Sequence, residues 1–330
     1  MQVLTFSRFG PPSEVLELQS LELPSLAENE VRLRILAAPI NPADLNLIEG
    51  TYGIKPELPA VSGIEGCGRV EESRDPRFVP GDLAIFLRRS ATWSSHVQVD
   101  GDILFKLPAG IDPQQAAMLK VNPATAWRLL TGFAKPAAGS WVVQNASNSG
   151  VGRCVIQLAK SLGIRSMNLV RRSELIPELT ALGADHAVVD GEDGLKEAKA
   201  IIGKPGAALG FNAVGGESAL RVMNLLAPRA IHITYGAMGR RPLTIPNGLL
   251  IFKDLQFRGL WITRWIEDAT EDEIHEVYTN LTEKVARGEL VQPVDSIFGL
   301  QDFQQALARA AEGGRDGKVL FRADVNPADF

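Results

Sequence analysis

The chain has 330 residues, 45% hydrophobic and 22% charged, with a formal net charge of −5. That length exceeds one core of ordinary size and predicts two domains of a globular protein. The negative balance argues against a nucleic-acid surface, and no apolar run reaches the length required to cross a bilayer.

The opening residues, MQVLTFSRF, enter an alternating strand pattern at once, without the basic head, apolar stretch and cleavage site of a signal peptide. A cytosolic address is the expectation. Up to about residue 120 the text is strand-rich: Val31 to Ile35 alternates, and Val79 to Phe86 reads as a turn followed by a strand. Arg88 and Arg89 read as a solvated basic pair, the alternative being contact with the phosphates of a substrate carrier. The two cysteines, Cys67 and Cys154, sit among small or apolar neighbours and suit reduced, buried thiols. With four dispersed histidines and no cysteine pair at ligand spacing, no metal site is expected.

At Asn122-Pro123 the pattern changes. Asn122 reads as a helix N-cap with proline at the first helical position. Strands over 141–144, 166–170, 187–189, 208–214, 231–235 and 257–262 alternate with helices over 152–162 and 174–182. Strand-helix alternation of this kind predicts an α/β domain built on a six-stranded, doubly wound parallel sheet. The tail adds helices over 272–287 and 301–311 and strands over 291–298 and 317–321.

The segment NASNSGVG, Asn145 to Gly152, joins the first of these strands to its helix. Small residues there let backbone N–H groups approach a pyrophosphate at the positive end of a helix. Against the GxGxxG pattern the motif positions fall on Ser147, Ser149 and Gly152, so only the last is a standard glycine, and a plain strand-to-helix turn is the alternative. About twenty residues further on, where an NAD-binding fold places Asp or Glu, this chain has Arg171-Arg172-Ser173. Guanidinium groups pair with a 2′-phosphate that a carboxylate would repel, so the expected cofactor is NADPH. A solvated pair at a strand end is the alternative for the two arginines.

Long segments of the chain resemble the zinc-independent medium-chain dehydrogenase/reductases, specifically the trans-2-enoyl thioester reductases, relatives of quinone oxidoreductases. They are NPADLNLIEGTYGIKPELPAVSGIEG (41–66), VNPATAWRLL (121–130), VVQNASNSGVG (142–152), TYGAM (234–238) and LLIFKDLQFRGLWITRW (249–265). The resemblance implies a GroES-like β-rich catalytic domain over 1–120 and 268–330, split around a Rossmann NADPH-binding domain over 121–267, with the active site in the cleft between them. NPAD and GIEG stand where zinc relatives carry ligands. The resemblance also implies that NADPH is held by Asn122, Asn148, Ser149, Gly150, Val151, Arg171, Arg172, Ser173 and Tyr235. Gly236, Ala237, Met238, Leu260, Trp261, Ile262 and Lys318 complete that set. Members of the family read Arg-acidic-Arg where this chain has Arg171-Arg172-Ser173, a departure that bears on the contacts to the phosphate.

Tyr52 matches the family's catalytic tyrosine; read from its neighbours alone it is a loop aromatic at a turn. In the implied reaction, hydride from NADPH reaches the β carbon of an enoyl thioester, and negative charge gathers on the thioester oxygen. A phenol can hydrogen-bond that oxygen and pass a proton on, directly or through water. Trp261 reads as a core residue on an apolar strand, which the resemblance moves to the nicotinamide or acyl pocket. Asn41, Asp44 and Asn46 are expected to hold the loop before Tyr52 through side-chain to backbone bonds. Glu65 reads either as a remnant of a metal site or as a buried structural carboxylate. The implied substrate is an acyl thioester of coenzyme A or of acyl-carrier protein, and the implied assembly a homodimer formed through the edge of the Rossmann sheet. Two rival functions share these features: an NADPH-dependent quinone reductase, and a weakly catalytic NADPH-binding redox sensor or structural protein.

Overall fold

The structure, a computed structural model, describes residues 1–322. The described chain forms two compact units, 1–121 with 270–322, and Asn122–Ala269.

In the first unit, strand β1 (Gln2–Phe6) pairs on one side with β2 (Leu16–Ser20), the short helix α1 (Pro12–Val15) intervening. The long strand β3 (Glu30–Pro39) buries alternate residues along most of its length, as a strand with one face on a core must. Helix α2 (Pro42–Glu49) follows, then β4 (Ala60–Val61), which pairs with the other side of β1. Strands β5 (Cys67–Ser73), β6 (Leu83–Phe86), β7 (His96–Asp100) and β8 (Leu104–Lys106) build an antiparallel sheet on β3, and α3 (Pro113–Ala117) closes this stretch of chain. Leu33, Ile35, Phe86 and Trp93 lie at its core.

The second unit opens with α4 (Asn122–Thr131) and β9 (Trp141–Gln144). Chain order continues through α5 (Gly150–Ser161), β10 (Arg165–Val170), α6 (Ile176–Leu182), β11 (His186–Val189), α7 (Glu192–Ile202) and β12 (Ala207–Asn212). Helix α8 (Gly216–Leu225), β13 (Leu226–Thr234), α9 (Asn247–Ile251), β14 (Gln256–Gly259) and α10 (Ile262–Asp268) complete it. The six strands run parallel in the order β11-β10-β9-β12-β13-β14, the doubly wound arrangement whose direction of growth reverses between β9 and β12. β9 is buried throughout and β10 in all but its first residue, as strands covered on both faces are. Leu169 and Val170 enter separate core clusters, one with α7 and α8 and the other with α5 and α6, because successive strand side chains point to opposite faces.

Two expectations change. The strand expected over 257–262 stops at Gly259; Leu260 gives its N–H to the Thr234 carbonyl at 3.0 Å, and Ile262 begins α10. Ile262 and Ile266 are buried one helical turn apart, a spacing the apolar run concealed. Asn122 is the first residue of α4 and lies within the helix rather than capping it.

The chain then returns to the first unit with α11 (Glu271–Ala286), opened by a Thr270–Glu273 capping box, β15 (Val294–Phe298), α12 (Phe303–Ala311) and β16 (Lys318–Phe321). β16 joins β15 to the end of β3, completing a seven-stranded sheet.

Candidate functional site

The candidate site of the second unit is built on the ends of its strands. Ser149 accepts the Gly152 N–H at 3.2 Å and so caps α5, whose twelve residues carry a positive N-terminal end. Ser147, at another nonstandard motif position, ties the turn down by donating its hydroxyl to the carbonyls of Leu169 at 3.1 Å and Gln144 at 3.2 Å. The two serines therefore fix the loop with side-chain bonds. A Cβ on Gly152 would come within 2.5 Å of the Ser147 carbonyl oxygen, and one on Gly150 would run into the Asn122 amide. Gly152 is sterically required by backbone, while a side chain at Gly150 would have to displace the Asn122 amide.

Beneath this turn lies a run of buried amides. Asn145 donates to Asn212 Oδ1 at 2.8 Å and Ser218 Oγ at 2.9 Å, and accepts the Ala213 N–H at 2.8 Å. Asn212 in turn accepts the N–H groups of Val214 and Gly215. Gln144 donates to the Gly152 carbonyl at 2.9 Å and to Asn168 Oδ1 at 2.8 Å, joining β9 to β10. Ser218 and Arg221 both donate to Asp190, beyond the end of β11. None of these amides was singled out from the sequence. The signal was present: a polar residue closes the apolar strand at Gln144-Asn145 and again at Asn212.

Arg171 and Arg172 follow the last residue of β10, both are exposed, and among the described residues neither guanidinium has a hydrogen-bond or ion-pair partner. Ser173 opens a short 3₁₀ turn after them. Past β13, Tyr235 and Met238 donate their N–H groups to the carbonyls of Asn212 and Ala213 at 3.0 and 2.8 Å, so Tyr235, Gly236, Ala237 and Met238 fold back over the end of β12. The Tyr235 hydroxyl is buried beside Ser149, and that burial pushes its ionisation well above the ordinary phenol range. Leu260 and Trp261 are half-buried after β14, and Ile262 is buried. Asn148, Ser149, Gly150 and Val151 thus lie with the segments 171–173, 235–238 and 260–262 beyond the C-terminal ends of the parallel strands. Asn122 joins them through Gly150. A glycine cradle at a helix N-terminus with two exposed arginines just past the next strand fits a dinucleotide that carries an extra phosphate.

Lys318 and Tyr52 belong to the first unit. Asn41 caps α2 in a reciprocal box with Asp44. Asp44 is fully buried and also accepts the N–H groups of Ile64 at 2.9 Å and Gly63 at 3.2 Å and the Ser62 hydroxyl at 3.4 Å. Asn41 donates to Glu65 at 2.8 Å and accepts from Lys318, while Glu65 takes the Val121 N–H at 2.9 Å. Lys120 reaches the Ile64 carbonyl at 2.6 Å. Burial raises both carboxyls to about 6 against the pull of these donors and lysines, and lowers Lys120 to about 8. Glu65 is thus a buried structural carboxylate, and Lys318 is placed on Asn41. Asn46 holds the loop through its backbone carbonyl, which accepts the N–H groups of Thr51 and Tyr52 at 2.9 and 3.1 Å, and not through the side-chain bond expected of it. Tyr52 is half-buried and packs on the core of this unit. Arg89 corrects an expectation: it is half-buried and donates to the Val61 carbonyl at 2.9 Å, while Arg88 is exposed. Both cysteines are buried thiols, not joined in a disulfide. Among the described residues no group of three or more His, Cys, Asp or Glu side chains stands close enough to hold a metal ion, and no helix is long and apolar enough to cross a membrane.

A GroES-like β unit and a parallel six-stranded nucleotide-binding unit together define a medium-chain dehydrogenase/reductase. The sequence model of the alcohol dehydrogenase GroES-like domain matches residues 27–108, and that of the zinc-binding dehydrogenase domain matches residues 150–283. The human mitochondrial enoyl-[acyl-carrier-protein] reductase is 40% identical over 315 residues, 93% of this chain and 84% of the relative. The chain belongs to the enoyl-[acyl-carrier-protein] reductase family. Among solved structures, the complex of Etr1p with NADP and crotonyl-CoA superposes with a TM-score of 0.89 at 28% identity, covering 97% of this chain and 99% of the other. A Bacillus thuringiensis protein assigned as an NADPH:quinone reductase superposes at 0.90 with 25% identity, covering 97% and 98%.

Proposed function

We propose that the protein reduces the C2–C3 double bond of trans-2-enoyl thioesters with NADPH. The observation that carries this is the whole-length likeness to enoyl-[acyl-carrier-protein] reductases, at an identity well above that shared with the quinone reductase. The unit 122–269 is the NADPH-binding domain and the β-rich unit the catalytic one.

NADPH, when bound, supplies the hydride that the β carbon of the substrate receives. The turn at 148–151 and the N-terminus of α5 hold its pyrophosphate, with Asn122 beside Gly150. Arg171, Arg172 and Ser173 take the 2′-phosphate. Tyr235, Gly236, Ala237 and Met238, with Leu260, Trp261 and Ile262, line the remainder, and Lys318 contributes from the β unit. Tyr52 donates its hydroxyl to the thioester oxygen as negative charge develops there, and hands a proton on toward the α carbon, directly or through water. A donor that strengthens only as charge builds lowers the barrier without tightening ground-state binding.

The substrate is a thioester of coenzyme A or of acyl-carrier protein. The active assembly is a homodimer, paired along β14, the edge strand of the parallel sheet, where Ile251 and Phe252 are exposed close by in sequence. The human relative is named as mitochondrial; a cytosolic address for this chain remains the proposal, checked by fractionation of its source cells.

The test follows NADPH absorbance with crotonyl-CoA and with a benzoquinone, for wild type and Tyr52→Phe. Thioester turnover should be fast in wild type and fall about a hundredfold or more in the variant. Quinone turnover equal in both proteins, with none of the thioester, would establish the quinone reductase instead.

A further inference from the structure

Asp44 is a carboxylate with no solvent exposure, held by three backbone N–H groups and a serine hydroxyl. Capping an eight-residue helix does not call for that. An exposed Asp or Glu at the same position could take the Asn41 N–H at no desolvation cost, whereas a buried carboxylate is tolerated only where several donors meet it. What burial adds is a second attachment. One carboxylate oxygen of Asp44 takes the Asn41 N–H, and the other takes the N–H groups of Gly63 and Ile64. The start of α2 is thereby fixed to a segment twenty residues downstream in the chain.

The other end of α2 governs Tyr52. Gly50 closes the helix in a left-handed conformation, and a Cβ there would meet the Phe9 ring at 3.0 Å. The N–H groups of Thr51 and Tyr52 then converge on the Asn46 carbonyl, and the Thr51 hydroxyl adds a third bond to that oxygen at 3.3 Å. The Tyr52 backbone is therefore an extension of the last turn of α2. Any slide or rotation of α2 along its axis is transmitted to the phenol.

We propose that Asp44 is the positioning residue of Tyr52, clamping α2 to the Ser62–Ile64 segment so that the hydroxyl stays within reach of the thioester oxygen. The proposal rests on the catalytic assignment of Tyr52 above. A donor aimed at developing charge is sensitive to displacement: about 1 Å of misplacement costs on the order of a hundredfold in rate.

The experiment is a double-mutant cycle read by kinetics and by fluorine NMR. The chain has three tyrosines, Tyr52, Tyr235 and Tyr278, so 3-fluorotyrosine protein gives three signals, and Tyr52→Phe identifies its own by loss. Asp44→Asn keeps the shape of the side chain but sets an amide against one of its donors. It should lower kcat for crotonyl-CoA at least about tenfold, leave KM for both substrates within about twofold, and move the Tyr52 signal but not that of Tyr235. In the Tyr52→Phe background the same substitution should cost less than about twofold. An equal loss in both backgrounds, or an unmoved Tyr52 signal, overturns the proposal.

Should Asp44→Asn fail to fold by circular dichroism, Ser62→Ala removes only the hydroxyl bond to Asp44. A broadened or shifted Tyr52 signal with a two- to threefold loss of kcat is then expected, a small effect because that bond is long at 3.4 Å, and an unchanged signal overturns the proposal. A Tyr52→Phe enzyme with wild-type turnover would sink the catalytic assignment of Tyr52 and the catalytic half of this proposal; the fluorine signal decides the positioning half separately.

Discussion

The side-chain amide of Asn122 stands where a Cβ on Gly150 would be built. The first residue of α4 and the first residue of α5 thus leave no room for a side chain between them. Gly150→Ala must push the amide aside, and Asn122 is one of the residues assigned to NADPH. The expected result is an NADPH dissociation constant about tenfold weaker with little loss of stability, since the displaced neighbour is a side chain. Gly152→Ala should behave differently. Its Cβ would meet the Ser147 carbonyl oxygen at 2.5 Å, a backbone atom, so a stability loss of about 2 kcal/mol is expected as well. Fluorescence titration and thermal unfolding separate the two. Unchanged NADPH affinity in Gly150→Ala would remove Asn122 from the site.

Arg171 and Arg172 make the cofactor choice. Each guanidinium is exposed at the end of β10, so neither replacement should disturb the fold by more than about 0.5 kcal/mol. Arg171→Ala and Arg172→Ala should each raise KM for NADPH about tenfold while leaving KM for NADH within about twofold, because only NADPH carries the phosphate they pair with. Parallel losses with both cofactors would assign the arginines to the shared pyrophosphate instead.

The six-stranded sheet was legible because its strands are continuous apolar runs separated by helical spacings, a period that neighbours in space do not alter. The turn at 145–152 was legible from its small residues, though its two serines were readable only as departures from a glycine pattern. Their hydroxyls replace what glycine geometry would otherwise supply, and that requires knowing that the Leu169 and Gln144 carbonyls lie within reach of Ser147. The start of α10 was hidden because Leu260-Trp261-Ile262 is as apolar as a strand; only the burial of Ile266 one turn later distinguishes a helix. The Asp44 anchorage spans twenty residues of sequence and the Lys318 contact on Asn41 far more, and separations of that kind leave no local pattern.

Asn145 carries a stability prediction. Its side chain makes three buried hydrogen bonds, and Asn145→Ala would leave the Ala213 N–H without its partner and take one donor each from Asn212 Oδ1 and Ser218 Oγ. One buried group left unsatisfied costs about 1–3 kcal/mol, so a loss of about 3 kcal/mol in urea unfolding is expected. Asn145→Asp should be no milder, since a carboxylate can accept from Ala213 but cannot donate to Asn212. A loss below about 0.5 kcal/mol would show that the amide network is dispensable.

Assembly is tested at α9. Phe252 is 85% exposed and Ile251 69%, beside the free edge of a parallel sheet, a combination that in solution favours self-association. Phe252→Asp with Ile251→Asp should convert a dimer to a monomer in light scattering at micromolar concentration, by placing like charges against each other across a two-fold axis. An unchanged dimer would move the interface elsewhere.

Acid should act on the two units in opposite directions. His232 is fully buried in β13 against the Phe257 ring, and among the described residues neither ring nitrogen has a hydrogen-bond partner. Burial holds the imidazole neutral and lowers its pKa from 6.5 to about 4. The unfolded chain therefore binds a proton that the folded unit refuses. Stability is complete above about pH 6.5 and falls as pH drops toward 4, by about 3 kcal/mol in all. Asp44 and Glu65 have the reverse sign: their carboxyls, raised to about 6, take up protons in the folded state first. Acidification from about 6 toward 4 therefore adds stability to the β-rich unit, until the unfolded carboxyls are protonated too. Calorimetry at pH 7 and pH 4.5 should show the transition of the unit 122–269 moving down while the other holds or rises. His232→Leu should remove the downward shift and leave the other transition unmoved. If the acid loss persists in His232→Leu, the proton goes elsewhere and the buried imidazole is not its origin.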